Sequence, residues 1–167
     1  MKSRMFLLVL SVGVMLGCAT TYQPMGFTGG YEDTRLDENV FSIYFAGNGF
    51  TGRQKAQDFA FLRAAELTLN HGYKYFVIVQ SDTSIATSTF TTPGYSQTTG
   101  NIQYYRHSAY GSARTTHYGG QTYNVNKPRV SLVIMCFEEK PETDATVFNA
   151  KYLKESVSQK YESDLQY

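Results

Sequence analysis

The chain has 167 residues, a formal net charge of +1 and 42% hydrophobic residues. This length suits a single domain that can bury a sizeable core. The balanced charge argues against a nucleic acid or an anionic surface as an electrostatic partner. Its two cysteines are too few for a disulfide framework.

Residues 1–17 have the pattern of a secretory signal peptide. Lys2 and Arg4 form a basic start, and Met5 to Leu16 is apolar apart from one serine and one glycine. Twelve helical residues would span only about 18 Å, well short of a hydrocarbon core of about 30 Å. We therefore predict a cleaved signal and not a permanent transmembrane helix.

The signal ends in Val14-Met15-Leu16-Gly17-Cys18, which resembles the lipobox of bacterial lipoproteins. Met15 stands where leucine is usual, but it has a similar volume and flexibility. The resemblance implies cleavage after Gly17 and transfer of acyl chains, such as palmitate, to the thiol of Cys18. Ala19 in place of aspartate implies an outer-membrane location facing the periplasm. The alternative is an ordinary signal peptide that happens to end at a cysteine.

Two or more acyl chains anchor a protein stably in a membrane. The mature chain would then be residues 18–167, with 13 basic and 14 acidic residues once Lys2 and Arg4 are removed. Because lipid would occupy Cys18, Cys136 is left without a partner in the same chain. The domain must therefore fold without a disulfide, or Cys136 must pair between chains.

The first half of the mature chain predicts a lead-in, a strand, a helix and a second strand. Residues 18–38 indicate a lipidated tether, and alternation over 39–46 predicts a half-buried strand. Residues 53–71 predict a helix with an alanine-rich buried face, which Gly72 ends in the left-handed C′ position. An apolar run over 73–80 predicts a strand buried on both faces, and a right-handed βαβ crossover is the simplest connection.

The second half contains a segment of different composition. Residues 83–127 are rich in threonine, serine, glycine and tyrosine, which indicates a mobile loop or a β-hairpin. Residues 129–137 predict a core strand, and 143–161 predict a helix capped by Thr143 or Asp144. The expected fold over 39–165 is one α+β domain in the order β-α-β-(β-hairpin)-β-α, with a sheet of three or more strands and both helices on one face.

Four segments are similar to an uncharacterised family of small proteobacterial lipoproteins. These are 23–31 (QPMGFTGGY), 34–41 (TRLDENVF), 47–51 (GNGFT) and 62–66 (LRAAE). The similarity covers residues 23–80, and the last strand and helix more loosely. The resemblance implies the envelope location and carries no activity onto any residue.

The segment Gly47-Asn48-Gly49-Phe50-Thr51-Gly52 matches the dinucleotide pattern GxGxxG between a strand and a helix. However, the acid expected about 20 residues further on is absent, and Asp82 lies 30 residues after Gly52. We therefore interpret the glycines as turn residues, with Asn48-Gly49 as a turn pair that tolerates positive φ and a capping box between Thr51 and Gln54.

No group of side chains predicts a catalytic or metal site, and no cofactor is expected. His71 lies at a helix end, His107 and His117 lie in the polar segment, and Cys136 lies in an apolar strand. The charged helix residues are Asp58, Arg63 and Glu66, which we interpret as a solvated face. Arg63 and Glu66 would form a surface pair.

The most plausible functional surface is aromatic. It consists of Tyr95, Tyr104, Tyr105, Tyr110, Tyr118 and Tyr123. Such side chains could stack on sugar rings or pack against a protein, although tyrosine and threonine are also ordinary residues of exposed strands. The first hypothesis is a non-enzymatic envelope protein that binds an envelope protein or cell-wall glycan. The alternative is a periplasm-facing hydrolase with dispersed active-site residues.

Overall fold

The structure, a computed structural model, describes residues 19–162 and 165. The predicted signal peptide, its cleavage site and Cys18 lie outside the described residues. The elements in chain order are β1 (Gly30–Arg35), β2 (Val40–Ala46), α1 (Arg53–Asn70), β3 (Tyr75–Thr91), β4 (Tyr95–Tyr105), β5 (Ser108–Tyr118), β6 (Thr122–Phe137), β7 (Val147–Asn149) and α2 (Ala150–Lys160). The predicted α+β class is confirmed.

Five strands form one sheet in the order β1-β2-β6-β3-β7. β2 is antiparallel to both β1 and β6, with Ile43 opposite Leu132 near the middle of the β2–β6 pair. β3 also runs antiparallel to β6, since Lys74 donates to the carbonyl of Phe137 at one end and the hydroxyls of Thr91 and Thr122 meet further along. β2 and β3 are therefore parallel, as expected of strands joined through a helix, but β6 lies between them.

The core lies between this sheet and α1. In β2, and in β6 from Val130 onward, alternate residues face the helix and are buried, while their neighbours on the other face are half-buried. This is the period-2 pattern of a sheet with one covered face. Buried core residues of α1 include four alanines, so the helix backbone can lie close to the sheet. The core cluster comprises Phe41, Ile43, Phe45, Ala56, Phe59, Ala60, Ala64, Ala65, Leu67, Phe76, Val130, Leu132, Ile134, Cys136 and Ala150.

The two ends of α1 differ in how well the sequence predicted them. At the C-terminus, Tyr73 donates to Thr68 and Gly72 donates to Leu69, with Gly72 at φ +84°, which is the Schellman motif. At the N-terminus the predicted capping box is wrong, because Gly52 is the N-cap and no side chain caps it. The hydroxyl of Thr51 donates to Asn48 Oδ1 instead.

Three other boundaries differ from the sequence prediction. The segment interpreted as a lead-in contains β1, which pairs with β2 along its whole length. The last helix does not begin at Thr143 or Asp144, since Asn149 caps α2 by accepting from the backbone of Tyr152 at 3.0 Å. β3 is an interior strand as predicted, yet Val79 is 59% exposed, so only its first residues are buried on both faces.

The chain divides into two compact units. The first contains residues up to Ala86 and from Asn126 onward, and holds the core and both helices. The second, Thr87–Val125, contains the outer residues of β3 and β6 and the two-stranded β4–β5 sheet. Its hairpin corresponds to one of the two conformations that the sequence suggested for 83–127.

Candidate functional site: an exposed aromatic hairpin

The hairpin of the second unit is a regular antiparallel ladder of β4 and β5. Its register runs from Tyr95 opposite Tyr118 to Tyr105 opposite Ser108, and Arg106 and His107 form the turn. Every residue of both strands is exposed. Main-chain pairing and cross-strand contacts therefore hold this sheet, because neither face is buried.

The register divides the predicted tyrosines between two faces. Tyr95, Tyr105, Tyr110 and Tyr118 share one face, where the rings of Tyr95 and Tyr118 stack at 4.7 Å and those of Tyr105 and Tyr110 meet edge-on at 6.3 Å. Tyr104 lies on the opposite face. The four-tyrosine face also carries a shallow depression, lined by Asn101, Gln103, Tyr110, Gly111 and Ser112.

The sixth tyrosine, Tyr123, belongs to β6, and its hydroxyl donates to the side chain of Gln121.

Thr92 and Gln121 close the base of the hairpin. The amide of Thr92 donates to the carbonyl of Gln121, and the amide of Gln121 donates back to the Thr92 hydroxyl, both at 2.9 Å. Gly120 is required there, since a Cβ would lie 2.0 Å from the carbonyl oxygen of Thr92.

The charged side chains of the second unit are all positive. Its sequence contains Arg106 and Arg114 and no aspartate or glutamate. In the register Arg114 lies opposite Thr99, on the same face as the four tyrosines.

His117 lies on β5, and no group of three or more potential metal ligands is found among the described residues. Its ring contacts the Ser96 hydroxyl at 2.7 Å.

The thiol of Cys136 lies in the core of the first unit. Cys136 is 1% exposed and its sulfur contacts the Thr68 hydroxyl at 3.3 Å. Burial raises the pKa of the Cys136 thiol above its ordinary value, so it remains protonated at neutral pH. The ring of His71 contacts the carbonyl oxygen of Leu67 at 2.9 Å and packs against the ring of Phe41. Cys136 is therefore a core residue, and His71 is part of the C-terminal end of α1.

The helix charges do not form the solvated face that the sequence suggested. Glu66 is buried, and it accepts hydrogen bonds from Tyr22 and from Arg63, the latter at 3.3 Å. Arg63 also donates to Asp33 at 2.8 Å and lies 4.3 Å from the ring centre of Tyr31. Burial alone would lower the pKa of Arg63, but the hydrogen bond and charge of Asp33 raise it.

Asp58, which is itself buried, is the centre of a second polar network. It accepts hydrogen bonds from Gln54, Lys160 and Tyr161 at 2.9, 2.7 and 2.7 Å. Burial would raise the pKa of Asp58, but these three donors together hold it below its ordinary value. The network joins α1 to the end of α2, so a structural role accounts for its polar groups.

Sequence analysis missed Tyr22 and Asp33 because both lie in the segment interpreted as a lead-in. No local periodicity connects residue 22 with residue 66, 44 positions away. The signal that could have found them is Arg63 and Glu66 on α1, because charged groups that leave water require polar partners from elsewhere in the chain.

The glycine-rich turn before α1 is part of the architecture of the fold. A Cβ on Gly47 would lie 2.7 Å from Thr51 and 2.9 Å from Pro128, so close packing requires the glycine. The described residues with positive φ are Gly29, Gly30 and Gly72. Asp82 lies exposed in β3.

No protein-family model matches the chain, and no curated protein or solved structure shows significant similarity to it. Between residues 19 and 162, no helix is long and apolar enough to cross a membrane.

Proposed function

We propose that this protein is a lipid-anchored binding protein of the bacterial envelope, held at the outer membrane by acyl chains on Cys18. The basic start, the short apolar segment and the lipobox-like sequence at residues 14–18 support the anchor. The binding role rests on the second unit, through which the protein contacts an envelope protein or cell-wall glycan.

The observation that carries the binding role is the exposed four-tyrosine face of the hairpin. Tyrosine provides a large apolar area at low entropic cost and keeps a hydroxyl for hydrogen bonding. The rings of Tyr95 and Tyr118 are already stacked, and Arg114 on the same face adds a donor that can pair with a carboxylate. A flat face of this composition suits a sugar ring or an extended peptide.

The exposed edges of the hairpin also favour a binding role. An isolated two-stranded sheet is marginally stable in water, and β4–β5 is a separate two-stranded sheet whose side chains are all exposed. A partner that covers one face or adds a strand to an edge would stabilise it. The hydrolase alternative has no comparable observation in its favour among the described residues.

The binding role is tested with a shortened variant in which residues 93–120 are replaced by Asn-Gly. Thr92 and Gln121 already hydrogen-bond to each other, so a two-residue turn can join them. We expect this variant to lose co-sedimentation with purified cell-wall sacculi, or to lose the chemical crosslinks to a protein partner that the wild type forms in cells. The first loss identifies a glycan partner and the second a protein partner.

A substitution variant gives the finer test. Changing Tyr95, Tyr105, Tyr110 and Tyr118 together to serine should weaken the same interaction at least tenfold. Tyr152→Ser is the matched control, because Tyr152 is 74% exposed on α2. If the four-serine and shortened variants both bind and crosslink like the wild type, the assignment to this face is wrong.

The anchor is tested at Cys18. Mass spectrometry of the mature protein should show acyl chains on Cys18, and Cys18→Ser should remain unprocessed and take up no labelled palmitate. Wild-type protein without acyl chains would contradict the proposed anchor.

A further inference from the structure

The chain immediately after Cys18 is part of the folded domain. Thr20 is 1% exposed, and its amide donates to the hydroxyl of Thr51 at 3.0 Å. Its own hydroxyl donates to the carbonyl of Thr28 at 2.7 Å and accepts from the amide of Asn48 at 2.9 Å. Residues 18–38 were interpreted as a tether, but by Thr20 the chain is already fixed in the fold.

Two turns meet at Thr20, and each presents an exposed phenylalanine. Phe27 is fully exposed in a tight turn closed by paired hydrogen bonds between Gly26 and Gly29, and it directly precedes Thr28. Phe50 is 73% exposed, two residues after Asn48. The two aromatic side chains therefore lie on loops that hydrogen-bond to the same buried threonine.

Both turns lack charge. Residues 19–31 and 47–52 contain no aspartate, glutamate, lysine or arginine. Moving such turns into an apolar phase requires no ionised side chain to lose its hydration, which would be the largest opposing contribution. Met25, also partly exposed, adds apolar area to the first turn.

We propose that Phe27 and Phe50 dock into the bilayer interface beside the acyl chains of Cys18 and so fix the orientation of the domain on the membrane. Consecutive Cα atoms are 3.8 Å apart, so Cys18 lies within about 8 Å of Thr20. Acyl chains on Cys18 must therefore enter the bilayer close to both turns. The inference rests on the proposed lipid anchor, which brings the membrane to this surface.

A membrane explains these residues better than a protein partner does. Exposed phenylalanine has no polar group to place in water, and its burial in an apolar phase is favourable. The anchor keeps the turns next to lipid at a high effective concentration, so even weak insertion would be populated. The hydrogen bonds to Thr20 hold both turns in place, so little conformational entropy is lost on docking.

The experiment uses single-tryptophan variants, since the chain contains no tryptophan. Phe27→Trp, Phe50→Trp and the control Tyr152→Trp are each made in the full lipoprotein and reconstituted in phosphatidylethanolamine–phosphatidylglycerol vesicles with brominated phosphatidylcholine. Bromine quenches only tryptophan that reaches the acyl region. We expect about twofold or greater quenching, with a blue-shifted emission, at positions 27 and 50 and no quenching at position 152.

The outcomes separate the inference from the proposed anchor. The intact mass and vesicle sedimentation of each variant report acylation, and circular dichroism reports folding. If the protein is acylated, folded and bound to vesicles but the tryptophans at positions 27 and 50 are not quenched, the docking inference is wrong and the anchor stands. The two side chains would then be available to bind a protein. Protein that carries no acyl chain and does not sediment with vesicles would overturn both.

Discussion

The two units of the molecule are built on opposite principles. In the first, Phe45, Phe59 and Phe76 are fully buried, and buried carboxylates have hydrogen-bond partners. In the second, every residue of β4 and β5 is exposed. Packing therefore specifies the first unit, whereas cross-strand pairing specifies the second. The comparison indicates that side chains in the second unit can be changed for function at little expense in stability.

The largest difference between the units should appear on truncating an aromatic ring in each. Phe59 is fully buried, and its ring meets those of Tyr22, Phe45 and Tyr161 at 5.1–5.5 Å. Phe59→Ala should lower the free energy of unfolding by about 3–5 kcal/mol, because it leaves a cavity among these rings. Urea denaturation followed by circular dichroism measures the change.

The matched substitution in the hairpin is Tyr104→Ala, since Tyr104 is 80% exposed. It should change the free energy of unfolding by less than about 0.5 kcal/mol. A loss as large as that of Phe59→Ala would show that the second unit has a core of its own and that the comparison fails.

The next largest effect should come from the partly buried ion pairs of Arg63 in the first unit. Arg63→Leu leaves Asp33 and Glu66 without their guanidinium partner, and we expect it to lower the free energy of unfolding by about 3 kcal/mol. Arg63→Lys keeps the charge but loses the planar donor geometry, so it should recover only part of that stability. If Arg63→Leu unfolds like the wild type, the pair is a surface pair, as the sequence first suggested.

The sequence predicted the elements whose signals are local. Alternation predicted β2, and a mostly apolar stretch after Pro128 predicted the inner half of β6. Gly72 after an alanine-rich stretch predicted the C-terminus of α1 with its Schellman hydrogen bonds. These signals depend on residues a few positions apart, so one chain suffices to read them.

What the sequence did not predict depends on distant residues. β1 is too short and too polar for alternation to show, and it exists because it pairs with β2. Thr20 lies in a segment that has the composition of a linker. It is nevertheless buried, and it forms three hydrogen bonds, to residues 28, 48 and 51. The aromatic composition of the hairpin was visible, but only the register assigns four tyrosines to one face.

A smaller effect in the first unit depends on pH. Burial, with the hydrogen bond to Glu66, raises the pKa of Tyr22 above its ordinary value of 10.0. Tyr22→Phe should cost about 2 kcal/mol at pH 7 through the lost hydrogen bond to a carboxylate. Because the folded pKa is raised, the stabilisation is present below pH 10 and is lost as the unfolded phenol ionises at higher pH.

Urea unfolding of both proteins between pH 7 and 11 tests this prediction. The difference in stability between wild type and Tyr22→Phe should be constant up to about pH 9 and then shrink. A Tyr152→Phe variant, which changes an exposed phenol, is the control and should follow the wild type throughout. A constant difference across the range would mean that folding does not raise the pKa of Tyr22.

Deleting the whole hairpin should have only a small effect on stability. Replacing residues 93–120 by Asn-Gly removes β4 and β5 but no residue of the core cluster, and Thr92 and Gln121 are already paired across the new turn. We expect the midpoint of thermal unfolding to move by no more than about 4 °C, since about 1 kcal/mol corresponds to that shift in a domain of this size. A much larger fall would show that the hairpin supports the first unit. An unchanged midpoint, together with lost binding, would mean that residues 93–120 serve recognition and that the fold of the first unit does not depend on them.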